Sequence, residues 1–320
     1  MLVLGLQGSP RKKGNTRFLL DRFLEESRNL GVRTITVDTD KRNILPCREL
    51  TACERKGFCP IKDDLKDEIY SQIHEADIIV AATPVFFYNM TAQLKALIDR
   101  CQVFWARTYR FKLKEPGIAQ RRGFLLSVGA SSGKQLFEAI ELSTRYFFDA
   151  VSANYEGSLT YRGMENAGDL AAHPTVDKEV RQAVEKVVKP LTTRRRILFA
   201  CRENACRSQM AAAFARYLGG DQIDAMSAGS EPAEKVNPLM QAVMADKGID
   251  LAFARTRLLD DAIAAHRPEM IVTMGCGEAC PVIPGVKIED WDIPDPVGQV
   301  DSIMTDVRDE IETRVKKLIN

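Results

Sequence analysis

The chain has 320 residues, 45% of them hydrophobic and 28% charged, which is typical of a soluble globular protein of about two domains. Its 45 lysines and arginines balance 44 aspartates and glutamates, which argues against a nucleic-acid-binding surface and excludes a disordered polyelectrolyte. No apolar run reaches the roughly 18–20 residues of a membrane span. The N-terminus becomes polar too early for a secretory signal, so we expect a cytoplasmic protein. Eight cysteines then indicate catalytic, redox or metal-binding roles.

Short apolar runs alternate with helical patterns over the first 190 residues. Residues 2–6 form such a run, and a polar loop and a helical pattern at 18–24 follow them. This strand–loop–helix order is how a parallel α/β sheet begins. Five strands with helices between them predict a flavodoxin-like sheet with the strand order 2-1-3-4-5. The other predicted strands are 34–37, 77–82, 123–128 and 154–159, and the other predicted helices are 64–74, 92–103, 135–148 and 176–188.

A second apolar run at 196–200 ends in Cys201 and starts the same pattern again. Pro190 ends the preceding helix, because proline lacks an N–H group and clashes with the previous turn. The sequence therefore predicts two doubly wound parallel-sheet domains, at 1–190 and 195–320, joined by a linker at 191–194. In the second domain, strands are predicted at 223–227 and 270–274, and helices at 210–218, 238–247, 258–265 and 303–317.

The loop after the first strand reads Gly8-Ser9-Pro10-Arg11-Lys12-Lys13-Gly14-Asn15-Thr16. Its hydroxyls, backbone N–H groups and basic side chains meet at a helix N-terminus, where a phosphate is favoured. A solvated turn with an N-cap is the alternative explanation. The loop lacks both the Gly-Lys-Ser/Thr end of a Walker loop and the spaced glycines of a dinucleotide fingerprint.

Aromatic residues mark the loop after the third strand, which reads Thr83-Pro84-Val85-Phe86-Phe87-Tyr88-Asn89-Met90. In the strand order 2-1-3-4-5 this loop lies at the topological switch point, where flavin mononucleotide (FMN) binds in such folds. Aromatic side chains beside exposed backbone suit the wall of a planar ring. The alternative is that the two phenylalanines are ordinary core residues.

These two loops, with the helix that contains Gln93-Leu94-Lys95 and Ile98-Asp99-Arg100, resemble the NADPH-dependent FMN reductases and iron–sulfur flavoproteins over about residues 1–190. The resemblance implies FMN as cofactor, NADPH or NADH as electron donor, and a homo-oligomer formed through this domain. It also implies that the FMN phosphate is held by Ser9, Arg11, Asn15 and Thr16. The ribityl chain and ring would be lined by Pro84, Val85, Phe86, Phe87, Tyr88 and Asn89, and the other edge of the ring approached by Ser127, Gly129 and Gly133.

Three cysteines of this domain, Cys47, Cys53 and Cys59, are separated by five residues each. The iron–sulfur flavoproteins that the domain resembles carry four cysteines in a compact cluster, and a [4Fe–4S] cluster needs four thiolates. Here the tight spacing and the fourth ligand are absent. An iron–sulfur site, a dithiol relay, a bridge across a dimer and inert remnants therefore stay open. Cys101, in a predicted helix, is most simply a small buried side chain.

A C-x₅-R-S motif, Cys201-Arg202-Glu203-Asn204-Ala205-Cys206-Arg207-Ser208, lies between a strand and a helix. A loop of this length curls so that its backbone N–H groups point at one centre, and the helix dipole and Arg207 add positive potential there. A tetrahedral oxyanion fits this cradle, and the same field favours a nucleophilic thiolate at Cys201. The predicted cradle residues are Arg202, Glu203, Asn204, Ala205 and Cys206.

Two later segments extend this chemistry. Asp295, in Trp291-Asp292-Ile293-Pro294-Asp295-Pro296, is a candidate general acid, with a turn residue as the alternative. Cys276 and Cys280 have three residues between them in a glycine-containing segment and allow thiol–disulfide exchange with Cys201. A zinc site is the structural alternative, but no histidine lies nearby in the sequence. A phosphatase needs one cysteine, so the extra pair favours a reductase.

Residues 195–320 resemble the thioredoxin-coupled arsenate reductases, which have the fold of low-molecular-weight tyrosine phosphatases. The matching stretches include Ser227-Ala228-Gly229-Ser230-Glu231-Pro232 and Val272-Thr273-Met274-Gly275-Cys276. The resemblance implies that Cys201 is the nucleophile, supported by Arg207 and Ser208. Asp295 would be the acid, and Cys276 and Cys280 the shuttle pair. We therefore predict a flavin-dependent reductase fused to an arsenate reductase, with thioredoxin or another thiol reductant as partner and no nucleic-acid or membrane partner. A phosphatase-like hydrolase and a flavin-gated redox sensor are the alternatives.

Overall fold

The computed structural model describes residues 1–275, 283–299 and 301–320, with Asp301 in its backbone only. The chain forms two compact units. Unit 1 comprises Met1–Lys112 and Gln120–Thr192, and unit 2 comprises Leu113–Ala119 and Thr193–Asn320. Among the described residues, no helix is both long and apolar enough to cross a bilayer.

Unit 1 contains a five-stranded parallel sheet with the order β2-β1-β3-β4-β5. This order confirms the predicted flavodoxin-like fold. The first strand is buried along its whole length, as expected for a central strand that is covered on both faces. The strands are β1 (Leu2–Gln7), β2 (Arg33–Asp38), β3 (Ile78–Pro84), β4 (Arg122–Val128) and β5 (Asn154–Tyr161).

Two helices of unit 1 share one apolar core with the sheet. Phe23 of α1 (Asn15–Asn29) stacks on Phe124 of β4 with the ring centroids 5.6 Å apart, and α7 (Val176–Val187) packs beside α1. This burial of large apolar side chains is the main stabilising term for the sheet–helix layer. The other helices of the unit are α2 (Ala52–Lys56), α3 (Tyr70–Glu75), α4 (Ala92–Arg100), α5 (Gln102–Tyr109) and α6 (Glu138–Ala150).

Two predicted helices of unit 1 differ in detail from the structure. The helix expected at 92–103 is divided into α4 and α5 at Cys101, whose side chain is fully buried and whose N–H is shared between the carbonyls of Leu97 and Ile98. The helix expected at 64–74 starts with a π-helical turn, Leu65–Ile69, before α3. Such wide turns are rare and carry no apolar signature of their own.

Unit 2 contains a four-stranded parallel sheet with the order β7-β6-β8-β9. The second predicted parallel-sheet domain is thereby confirmed. Lys114 also belongs to this unit and exchanges backbone hydrogen bonds of 2.8 Å with Gly248 and Asp250. The strands are β6 (Arg195–Cys201), β7 (Ile223–Gly229), β8 (Met270–Met274) and β9 (Lys287–Asp290), and the helices are α8 (Arg207–Gly219), α9 (Pro238–Asp246), α10 (Leu259–His266) and α11 (Asp301–Ile319).

A buried ion pair fixes the ends of a long irregular loop in unit 1. Arg100, the last residue of α4, binds the two carboxylate oxygens of Asp63 at 2.8 and 3.2 Å and donates to the Leu45 carbonyl at 2.8 Å. The Leu45 N–H donates in turn to Asp63 at 3.0 Å. Residues 45 and 63 are thus held together, and we call the segment 45–63 the clamped loop. Burial opposes charge on Asp63, but Arg100 and the N–H groups of Leu45 and Lys66 outweigh it and hold the pKa of Asp63 below its ordinary value.

Replacing Asp63 by asparagine is expected to destabilise unit 1 by about 3–5 kcal/mol, because the buried guanidinium of Arg100 loses its counter-charge. Chemical denaturation measures this loss. Since the folded pKa of Asp63 is lowered, the ion pair stabilises fully above the ordinary carboxyl pKa of about 4 and is lost as the pH falls through the lowered value. The difference between wild type and Asp63→Asn should shrink accordingly below about pH 4.

The matched control for this measurement is Asp64→Asn. Asp64 is the neighbouring, partly exposed carboxylate, and it accepts only the N–H of Asn43 at 3.0 Å and a distant Arg42 at 3.9 Å. Its loss should cost less than about 1 kcal/mol, as for exposed pairs in general. Equal losses in the two variants would show that the clamp is not a special stabilising element.

Candidate active sites

The carboxyl ends of three strands of unit 1 lie side by side. Gln7 of β1 pairs with Ala82 of β3, and Pro84 at the end of β3 pairs with Val128 of β4. The loops that follow these strands therefore meet at one edge of the sheet, next to the topological switch point between β1 and β3. We call this the switch edge. It is where ligands bind in open α/β sheets.

The loop after β1 has the features of a phosphate cradle. The Gly8 N–H donates to the Ala82 carbonyl at 2.8 Å, and a Cβ on Gly8 would lie 2.9 Å from the Cβ of Leu94, so only glycine fits there. Ser9 is nearly buried, and its hydroxyl accepts the Arg11 N–H at 3.2 Å. Gly14, the N-cap of α1, has no side chain with which to cap the first-turn N–H groups. With the exposed Arg11 beside it, this helix end suits an anionic phosphate.

Asn15 and Thr16, the other predicted phosphate ligands, open α1 and are buried. The Asn15 amide donates to the carbonyl of Asn166 at 2.8 Å and accepts the N–H of Gly168 at 3.1 Å. Its side chain thus fixes the loop after β5. Any contact of Asn15 with a phosphate would come from its backbone N–H.

The aromatic loop after β3 forms a tight two-residue turn. Phe86 and Asn89 exchange backbone hydrogen bonds of 2.7 and 2.9 Å, while Phe87 and Tyr88 between them have φ values of 46° and 61°. Two consecutive non-glycine residues in the left-handed region carry a backbone cost of order 1–3 kcal/mol each. Phe87 is fully exposed, and Phe86 and Tyr88 are half exposed. Their rings are therefore available to contact a planar ligand, and they are not core residues.

The loop after β4 approaches this turn closely. A Cβ on Gly133 would overlap the Tyr88 hydroxyl, and a Cβ on Gly129 would lie 2.6 Å from Leu136 and 3.1 Å from Val85. Both glycines therefore allow the loops to meet at the switch edge. Ser127 is different, because it is buried in β4 and its hydroxyl donates to the Thr83 carbonyl at 3.0 Å. The residues present thus fit an FMN-sized ligand at the switch edge, with Ser127 set back in the sheet.

The anion loop, residues 201–208, connects β6 to α8 in unit 2. Cys201 ends β6 between Gly229 of β7 and Met274 of β8. The carbonyl groups of residues 201–205 all accept hydrogen bonds from residues outside this loop. The carbonyl of residue 204 accepts the Gln209 side chain at 3.1 Å. The carbonyls of residues 201, 202, 203 and 205 accept, in that order, the backbone N–H groups of Ser230 (3.3 Å), Glu231 (2.8 Å), Ala233 (2.9 Å) and Asn237 (3.1 Å). In a trans peptide, the N–H group of one residue points to the opposite side from the carbonyl group of the residue before it. Since the carbonyls of residues 201–205 point outwards, the N–H groups of residues 202–206 face the interior of the curl.

Hydrogen bonds direct the Ser208 hydroxyl towards the Cys201 sulfur. Ser208 Oγ lies 3.0 Å from Cys201 Sγ and accepts the Asn204 side-chain amide at 2.8 Å. Its own hydrogen is therefore left to donate to the sulfur. Asn204 is fully buried with φ 51°, and its side-chain oxygen accepts the Arg257 N–H at 2.9 Å. Gln209, which the sequence analysis did not identify, holds the same asparagine.

Glycine is required next to this loop at position 229. A Cβ there would lie 2.6 Å from the Arg202 carbonyl oxygen and 2.8 Å from the Asn204 nitrogen. The sequence shows the motif around Gly229, but the close approach of Gly229 to the anion loop depends on the pairing of β6 with β7. Cys206 is buried, and burial together with the neighbouring Cys201 raises the pKa of its thiol to about 12. Cys206 is therefore a neutral packing residue at physiological pH.

Arg207 connects the anion loop to the predicted acid. Its Nη2 binds the Asp295 carboxylate at 2.7 Å and its Nη1 donates to the Ile293 carbonyl at 3.1 Å. The guanidinium is buried, whereas Asp295 is half exposed. Gly275, with φ 70°, packs against the same guanidinium, and a Cβ there would lie 2.8 Å from Nη1. The structure thus brings together Cys201, Arg207, Ser208 and Asp295, while the predicted shuttle cysteines Cys276 and Cys280 lie outside the described residues.

The three cysteines of the clamped loop line one cavity of about 410 Å³. Cys101, the fourth cysteine of unit 1, is fully buried and does not line this cavity. Within the described part of the chain, no group of three or more histidine, cysteine or acidic side chains is placed to hold a metal ion. The donor set therefore does not fit a cluster that requires four thiolates.

Together, the fold and these sites define the class of protein. Unit 1 is a flavodoxin-like domain whose switch edge carries a loop suited to a phosphate and a turn with exposed aromatic side chains. Unit 2 is a domain of the low-molecular-weight phosphatase fold with a nucleophile cradle. Family models agree with this division: the model described as NADPH-dependent FMN reductase matches residues 1–154, and the model described as low molecular weight phosphotyrosine protein phosphatase matches residues 196–320.

Similar curated proteins are of two kinds. An iron–sulfur flavoprotein from Methanosarcina thermophila is 38% identical over 131 residues, which are 41% of this chain and 64% of the relative. Another from Archaeoglobus fulgidus is 33% identical over 150 residues, which are 47% of this chain and 73% of the relative. Arsenate reductase 2 from Staphylococcus epidermidis is 39% identical over 124 residues, which are 38% of this chain and 92% of the relative. The chain spans only 64, 51 and 45% of the first three flavoproteins it matches.

The chain therefore belongs to both the flavoprotein and the arsenate reductase families, one through each half. The predicted fusion of two oxidoreductase domains is confirmed at the level of family and fold. The roles of the individual site residues stay predictions.

Gly275→Ala is expected to weaken binding of inorganic phosphate to the anion loop by about tenfold or more, since a hydrogen bond to a charged group contributes about 1.5–3 kcal/mol. The new methyl group would meet the guanidinium of Arg207 and shift it. Isothermal calorimetry with phosphate measures the effect.

Gly285→Ala is the matched control, because Gly285 also has a positive φ of 79° but no atom lies within 4 Å of a Cβ built there. Both alanine variants carry the same kind of backbone strain, and only the one at position 275 reaches the anion site. Equal phosphate affinity in the two variants would contradict the assignment of Arg207 as the anion ligand.

Proposed function

We propose that the chain is a bifunctional oxidoreductase that reduces arsenate to arsenite in unit 2 and takes up reducing equivalents through FMN in unit 1. The observation that carries this proposal is the placement of Cys201 Sγ, 3.0 Å from the Ser208 hydroxyl, under a curl of inward-facing N–H groups. Similarity to arsenate reductases along 92% of a relative's length supports arsenate as the oxyanion.

Each residue of the anion site has a defined task in the first step. The inward N–H groups and Arg207 bind arsenate oxygens and neutralise their charge. The Cys201 thiolate, stabilised by Ser208, attacks the arsenic and forms a sulfur–arsenic bond. One arsenate oxygen leaves as water, with a proton supplied by Asp295. Arsenic is still pentavalent after this exchange of an oxygen ligand for sulfur.

Arsenic is reduced in the second step of the proposed reaction, which the spacing of Cys276 and Cys280 in the sequence supports. The Cys276 thiolate attacks the sulfur of Cys201 and forms a disulfide, and the electron pair of the sulfur–arsenic bond passes to arsenic, which leaves as arsenite. Cys280 then attacks Cys276, which frees the Cys201 thiolate and leaves a Cys276–Cys280 disulfide. Two electrons from an external or internal reductant reopen that disulfide.

Unit 1 is proposed to supply those electrons from NADPH or NADH. Bound FMN provides the two-electron chemistry that connects a nicotinamide hydride to a disulfide. Ser9, Arg11 and the first turn of α1 would hold its phosphate, and the half-exposed Phe86 and Tyr88 would flank its ring. Covalent linkage of the two units gives each a high effective concentration for the other. A thiol reductant such as thioredoxin is the alternative donor, and the cytoplasmic location and homo-oligomer predicted above belong to this proposal.

Cys201→Ser should reduce arsenate turnover by at least roughly 10³-fold, as expected for loss of a nucleophile, while phosphate still binds. Cys276→Ser should also abolish turnover, because the arsenic-bearing Cys201 cannot be released. Arsenite formation measured by chromatography with elemental detection gives both results. If the wild type forms no arsenite but hydrolyses an aryl phosphate efficiently, and Cys276→Ser leaves that hydrolysis intact, the phosphatase alternative, which the name of the matching family supports, is correct.

The electron route is tested by supplying purified protein with FMN, NADPH and arsenate but no thioredoxin. Sustained arsenite formation, with one NADPH oxidised per arsenite, is expected. A chain with Arg11→Ala should bind FMN less tightly and lose this activity, yet recover arsenate reduction when thioredoxin and its reductase are added. Turnover that starts only on addition of thioredoxin in the wild type would disprove self-regeneration.

A further inference from the structure

A cavity in unit 1 collects three thiols that neither proposed reaction uses. Cys47, Cys53 and Cys59 all line the space of about 410 Å³ beside α2. Cys47 is exposed and the other two are half-buried, so all three can be reached by a small solute. Burial raises the pKa of the Cys53 thiol, and a negative charge on the nearby Cys59 would raise it further.

The backbone around this cavity is held at three points. The ion pair of Arg100 with Asp63 clamps residues 45 and 63, and Arg107 holds the Gly57 carbonyl at 2.9 Å. Between the clamps, Glu49 and Thr51 have φ values of 49° and 52° in irregular chain. The sulfur atoms are not placed as a metal site now, and a bound atom would draw them inwards.

Charges around the cavity favour a neutral solute. Arg48 and Glu49 carry opposite charges, while Glu54 is paired with Arg110 at 2.8 Å and Asp99 with Lys95 at 2.6 Å. The formal charges of these groups cancel, so the cavity does not present the positive field that an oxyanion requires. The remaining wall is formed in part by Leu50, Ala52, Pro60 and Ile61.

We infer that the three thiols of the clamped loop bind trivalent arsenic. Arsenite is an uncharged hydroxide at neutral pH, and its arsenic is a soft centre that prefers sulfur ligands over oxygen. Three sulfur–arsenic bonds form and three arsenic–oxygen bonds break. Each thiol proton leaves with a hydroxide as water, so the exchange needs no oxidant or reductant. Three thiols match the three bonds of trivalent arsenic, whereas an iron–sulfur cluster lacks a ligand here.

This inference rests on the proposed function only in naming arsenite, the product of unit 2, as the ligand. The site would retain that product on the enzyme. Binding and turnover can be separated, because arsenite binding requires neither Cys201 nor the predicted shuttle pair.

The experiment uses the full chain with Cys201, Cys276 and Cys280 replaced by serine, which removes the catalytic thiols. The reduced protein is incubated with sodium arsenite and desalted, and arsenic per chain is measured by elemental analysis beside the number of free thiols. We expect one arsenic bound and three thiols lost. Adding Cys47→Ser, Cys53→Ser or Cys59→Ser should weaken arsenite binding by roughly 100-fold, because one arm of a linked set is removed.

Cys101→Ala on the same background is the matched control, since this thiol is fully buried and outside the cavity; it should leave arsenite binding unchanged. Circular dichroism checks that each variant is folded. No bound arsenic, binding that survives all three serine substitutions, or loss of only two thiols would overturn the inference. So would iron and sulfide reconstitution that yields a stable cluster dependent on these cysteines. None of these outcomes depends on whether arsenate is turned over.

Discussion

The carbonyl groups of residues 201–205 are all hydrogen-bonded to residues outside the anion loop, and this outward pattern turns the intervening N–H groups towards one centre. The partners come from the segment after β7 and from the first turn of α8, so the cradle exists only in the folded unit. Gly229 belongs to the same arrangement, because any side chain there would meet the loop backbone. A preorganised anion site follows, on which the proposed reaction of Cys201 would depend.

The two cysteine-bearing loops are held in contrasting ways. The anion loop is bonded at nearly every peptide, which suits a site that must keep a reacting sulfur and an oxyanion in fixed geometry. The clamped loop is held at fewer points: a buried ion pair between Arg100 and Asp63 ties its ends, and Arg107 binds the Gly57 carbonyl between them. Its middle contains left-handed residues and reachable thiols.

Most of the architecture could be predicted from the sequence, because buried parallel strands are continuous apolar runs. Strand β9 is not predicted, since Lys287–Asp290 has mostly exposed, charged residues. The break at Cys101 is not predicted either, because no glycine or proline marks it in the sequence. In the anion site, spacing alone indicated Cys201, Arg207 and Ser208. The clamp of Asp63 by Arg100 joins side chains 37 residues apart, which no local pattern encodes. Gln209 directly follows the motif, and its hydrogen bond to Asn204 depends on how the loop curls.

The ion pair between Arg207 and Asp295 has a consequence for the order of events in catalysis. While the carboxylate occupies the guanidinium, the cation is neutralised and the acid is engaged. An arriving oxyanion competes for the same guanidinium nitrogens and so releases the carboxylate beside its own oxygens. Substrate binding would thereby free the Asp295 carboxylate to take up the proton that it donates in the proposed reaction. Without a bound oxyanion, the carboxylate and the guanidinium would stay paired with each other.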